Sequence, residues 1–61
     1  MPDDTIPEDR RKAIFHALVT AQDEGTSVAE SRTLVAETFG VTEAQVRIIE
    51  REGLREEWPP L

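Results

Sequence analysis

The sequence predicts an all-α fold: three helices, the last two forming a helix-turn-helix, followed by an extended Trp-Pro-Pro-Leu tail. Three observations predict it. Three separate capping signatures each precede apolar residues at three- and four-residue spacing. No segment shows the period-two alternation of a half-buried strand. The connection between the second and third helices is very short and holds one glycine.

The first helix is expected over about Ile6 to Glu24. Thr5-Ile6-Pro7-Glu8 has the form of a capping box, in which a threonine oxygen accepts an orphan amide and Glu8 reaches back. Proline is tolerated in a first turn, where no hydrogen bond is lost. Ile14, Ala17, Leu18 and Ala21 supply the apolar face, and Gly25 follows as a stop. Residues 1–5 are expected to be a disordered lead-in.

The second helix opens on Ser27-Val28-Ala29-Glu30, another capping box, and closes at Gly40. Val28, Val35 and Phe39 share its predicted inward stripe, with Ala29 and Ala36 beside it. The third opens on Thr42-Glu43-Ala44-Gln45, with glutamine in place of glutamate, and Val46 and Ile49 continue the core face as far as Gly53. The domain is thus placed at 6–57 and the tail at 58–61, where Pro59-Pro60 excludes helix and favours an extended path. Trp58 and Leu61 are expected to fold back over the core, with Leu34 as the residue they cover. An exposed tail would instead make Leu34, Trp58 and Leu61 anchors for a partner protein.

Composition narrows the function. At 61 residues there is room for one domain, burying only about 60 % of its unfolded surface. There is no cysteine and a single histidine, so disulfides and thiolate zinc sites are excluded and a transition-metal site is not expected. His16 reads as a surface residue of the first helix, not a catalytic base. The adjacent acid pairs, such as Asp23-Glu24 and Glu56-Glu57, do not face one another on a helix and lack calcium-loop spacing. No glycine loop for phosphate occurs. An enzyme is not expected, nor any cofactor. No apolar run approaches the roughly 20 residues of a membrane span. The acidic start does not resemble a secretory signal, so a cytoplasmic location is expected.

The net charge is −6, from 13 acidic and 7 basic side chains, which disfavours non-specific attraction to nucleic acid. The placement of the arginines carries more information. At about 100° per residue, Ala44, Arg47, Ile48 and Arg51 point away from Val46 and Ile49 on the third helix, and Arg55 joins them if the helix continues past Gly53. Arginine forks onto guanine edges and phosphates. The same residues also allow a plain solvated face, with Glu43 and Arg47 four apart and Glu52 and Arg55 three apart. Arg10-Arg11-Lys12 is the densest basic cluster, but the helix fans it over about 200°. Glu8 stands four before Lys12 as an ion-pair partner.

Leu34-Val35-Ala36-Glu37-Thr38-Phe39-Gly40-Val41-Thr42, followed by Val46-Arg47-Ile48-Ile49-Glu50, resembles the helix-turn-helix in the fourth conserved region of bacterial sigma factors. The similarity covers about 25 residues, from Ser31 to Arg55. Arg47 falls on an arginine of that family's recognition helix and Glu50 on the glutamate ending its Ile-Arg-Gln-Ile-Glu run. Glu43, Ala44 and Ile48 depart from the pattern, which commonly has a basic residue, an acidic residue and glutamine there. The resemblance implies a module that reads promoter DNA and touches RNA polymerase. The expected function is therefore a small, transcription-related DNA-binding protein acting weakly or within an assembly. Its reading face is Thr42, Ala44, Arg47, Ile48, Arg51 and Arg55, its ligand double-stranded DNA, and homodimerisation one way to a second half-site. The alternative expectation is an acidic interaction module that binds RNA polymerase or another basic protein.

Overall fold

The structure, a computed structural model, describes residues 6–60. It contains α1 (Glu8–Asp23), α2 (Val28–Phe39) and α3 (Glu43–Glu56), with no strand among the described residues. Each helix packs against both others, so the all-α, three-helix expectation stands. No described helix is long and apolar enough to cross a membrane.

α1 starts later than the sequence predicts. Its N-cap is Pro7, at φ −57° and ψ 151°, with no side-chain cap hydrogen bond. The residue before a proline is biased away from helical torsions, which keeps Ile6 out of the helix. Ile6 folds into the core instead, 6 % exposed. Thr5, the expected capping residue, and the rest of the 1–5 lead-in lie outside the described residues, as does Leu61.

α2 begins at Ser27, whose hydroxyl accepts from the Glu30 amide at 3.2 Å and donates to the Glu30 carboxylate at 3.0 Å. The predicted inward stripe needs one correction. Val28 is 48 % exposed, and the first-turn residue that faces α1 is Ser31, fully buried. Its hydroxyl donates to the Val28 carbonyl at 2.8 Å and accepts from Gln22 Nε2 at 3.2 Å. A buried hydroxyl with both roles satisfied costs little, so a serine sits where hydrophobicity alone selects valine. Ala29 is exposed as well, while Val35 and Ala36 are buried.

Ile14, Phe15, Leu18, Val46 and Ile49 form the fully buried centre, with Ile6, Val35, Ala36 and Trp58 around it. α3 does not stop at Gly53 but runs on to Glu56. Gly53 is instead a point of close approach: a Cβ there would lie 2.2 Å from Phe15 Cδ1. The helix ends at Glu57 in the left-handed region, where the Glu57 and Trp58 amides both donate to the Gly53 carbonyl. That return sends Trp58 onto Phe15, edge to face at 6.1 Å between centroids. Pro59 and Pro60 follow in a turn, where the sequence predicts an extended segment. Leu34, expected under the tail, is 54 % exposed. Trp58 packs on the Phe15 ring of the core centre, at the α1–α3 seam, and Leu34 of α2 is left uncovered.

Candidate nucleic-acid interface

The α2–α3 junction fixes where the outward face of α3 points. Gly40 caps α2 at φ 69° and ψ 34°, a conformation that costs a side-chain-bearing residue about 1–2 kcal/mol. The Gly40 and Val41 amides both return to the Ala36 carbonyl. Two residues later the Thr42 hydroxyl accepts from the Gln45 amide at 3.0 Å, and Gln45 Oε1 accepts from the Thr42 amide at 2.9 Å. This reciprocal capping box starts α3 with both ends of the turn closed.

The end of α2 is held from outside. α2 has no basic residue in its last turn, and α1 provides one. Arg10 Nη2 donates to the Phe39 carbonyl at 2.9 Å, and its guanidinium lies 5.6 Å from the centre of the Phe39 ring. A cation on a free terminal carbonyl also complements the helix dipole.

Most basic side chains are engaged inside the fold. Arg11 forks onto Glu52, at 2.8 Å from Nε to Oε1 and 3.2 Å from Nη2 to Oε2, and also donates to the Ile6 carbonyl. Lys12 pairs with Glu8 at 3.3 Å, as the spacing predicts, and stands 5.8 Å from the Trp58 ring centre. Arg32 of α2 holds Glu50 of α3 at 2.7 Å. Arg55 has only an exposed neighbour, Glu56, at 3.6 Å. Arg47 and Arg51 make no ion pair or side-chain hydrogen bond among the described residues.

This arrangement sorts the charges of α3 by direction. Glu50 and Glu52, which interrupt the arginines in the sequence, turn toward α2 and α1. Ala44, Arg47, Ile48, Arg51 and Arg55 are all exposed, as is Thr42. Between Ala44 and Arg51 the outward face therefore carries two arginines and no free acid. Glu43, Glu56 and Glu57 remain at its two ends. The Thr42 hydroxyl still has its proton to donate after capping α3.

Of the residues named as partner anchors, Leu34 and Trp58 are not brought together, and Leu61 lies outside the described residues. Trp58 is 7 % exposed and part of the core, whereas Leu34 lies on the open face of α2. The sequence reading missed Glu50 and Glu52 as inward groups. Their spacing from Val46 and Ile49 on α3 is the signal for it, since Glu52 lies three after Ile49 and Glu50 four after Val46. Among the described residues no group of three histidine or acidic side chains is placed to hold a metal ion. Compared with known proteins, the chain matches no family model, no curated protein and no solved structure.

Proposed function

We propose that this chain is a small DNA-binding domain, related to transcription, that uses α2 and α3 as a helix-turn-helix and α3 as the reading helix. The observation that carries the reading is the separation of charge on α3. Its central acids are bonded inward, while Arg47 and Arg51, without an ion pair among the described residues, stand on the outward face beside Ala44 and Ile48. Guanidinium groups at four-residue spacing reach bases or phosphates along one groove, and small or apolar neighbours suit thymine methyl groups. The resemblance to sigma-factor region four supports the same assignment of faces.

The net charge of −6 sets the strength. A single module with two central arginines and an acidic remainder binds duplex DNA weakly, so useful affinity comes from a dimer or from a larger assembly that holds it in place. The test is a titration of isotope-labelled protein with mixed duplex DNA at low salt. Amide shifts over residues 42–55 that disappear with added salt support the proposal. Absence of shifts at low salt overturns it.

A further inference from the structure

α1 and α2 leave between them an apolar groove of about 290 Å³ whose lining includes no residue of α3. His16, Ala17 and Thr20 form one wall, and Leu34, Thr38 and Phe39 the other. A second hollow, lined by Ala29 and Thr33, lies across Leu34. Leu34 belongs to both and is 54 % exposed, one of the largest unburied apolar side chains of the domain. Three acidic side chains, Glu24, Glu30 and Glu37, line these two hollows, and no lysine or arginine does. Neither Glu24 nor Glu37 has an ion pair among the described residues.

We infer that this face docks a cationic amphipathic helix of another protein, whose apolar side chains straddle Leu34 while its lysines or arginines meet Glu24, Glu30 and Glu37. Charge decides between occupants. A second copy of the chain would oppose the same three glutamates across a two-fold axis, in a molecule that already carries −6. A small molecule would have to be held by an open groove at the lower bound of ligand sites, about 300–1,000 Å³. A helix fits better. Its side chains one turn apart lie about 5–6 Å from each other, which lets one enter each hollow on either side of a single leucine. The docking face is formed by α1 and α2, so it and the α3 face can be occupied together. Such a partner would supply the assembly that a weak DNA reader needs.

The test uses the full chain and a short synthetic peptide of leucine and lysine, with the leucines on one helical face. A peptide of the same composition with the leucines dispersed serves as the control. The expected result is a set of amide shifts over residues 16–24 and 29–39 for the amphipathic peptide alone. Leu34→Ser should weaken binding by about tenfold without changing the melting temperature, because Leu34 is exposed. Arg47→Ala with Arg51→Ala should leave it unchanged, which separates this face from the DNA-binding proposal. Equal binding of the dispersed peptide, shifts located elsewhere, or insensitivity to Leu34→Ser overturns the inference. So does a dimer in sedimentation that Leu34→Ser dissolves.

Discussion

The guanidinium of Arg11 and the carboxylate of Glu52 form a two-pronged bridge between α1 and α3, with side chains only 12 % and 9 % exposed. A paired charge at this depth is sensitive to loss of one partner, since the survivor is left desolvated without compensation. Glu52→Ala is expected to cost roughly 3 kcal/mol. The whole domain, at about 0.05–0.15 kcal/mol per residue, holds roughly 3–9 kcal/mol, so the variant should lose a third or more of its stability and unfold at a clearly lower temperature or urea concentration. Replacing both groups with apolar residues, Arg11→Met with Glu52→Leu, should recover most of the loss. Recovery that fails would show that the bridge does more than neutralise itself.

Gly53→Ala sets helix propensity against packing. Alanine gains about 1 kcal/mol in a helix interior. The added Cβ, however, lies 2.2 Å from Phe15 Cδ1, and Phe15 is fully buried under Trp58. Overpacking of this kind costs about 1–3 kcal/mol or more. The net effect should be a lower melting temperature, and a rise would mean that the Phe15 ring can move aside freely.

Trp58→Ala removes the ring that closes the core over Phe15. The expected cost is about 3–5 kcal/mol, comparable with the total stability, and truncation before Trp58 should be as damaging. The readout is the cooperativity of the melt followed by circular dichroism. A variant that melts like the parent would return Trp58 to the role of a partner anchor.

Glu57→Gly should stabilise. Glu57 holds φ 53° at the end of α3, a conformation that disfavours a side chain by about 1–2 kcal/mol. Relief is partly offset by the greater freedom of glycine in the unfolded chain. A net gain of about 0.5–1 kcal/mol is expected from denaturant titrations.

Arg47→Ala with Arg51→Ala should leave the melt unchanged, because neither side chain is bonded within the described fold. On DNA, it should reduce affinity and flatten the slope of log affinity against log salt by about two, one unit per phosphate contact. An unaltered slope would place the DNA contact, if there is one, off α3.

The number and type of helices were legible in the residues because capping and apolar period are local. Ser27 and Thr42 both cap as their sequences indicate, and Gly40 takes the left-handed turn that follows an alanine four before it. Errors arose where a side chain answers to a distant neighbour. Val28 has the right chemistry for the core but lies off the face that meets α1, where Ser31 sits instead. Gly53 reads as a helix stop, yet it lies inside α3 because Phe15 leaves no room for a Cβ.

The candidate site was legible to the same degree. The outward positions of Arg47, Ile48 and Arg51 follow from the helical period once Val46 and Ile49 face inward. The same period turns Glu50 and Glu52 toward the core side, but it cannot say that they are cancelled there, since that depends on Arg32 and Arg11 being placed opposite. Sequence by itself therefore determined the three helices, the N-terminal caps of α2 and α3 and the turn between them, through interactions spanning a few residues. Tertiary structure alone decided which charges are cancelled, that Trp58 closes on Phe15, and that Leu34 is left open. Those outcomes depend on residues far apart in the chain, such as Arg11 and Glu52 at 41 positions, which meet only once the helices have packed.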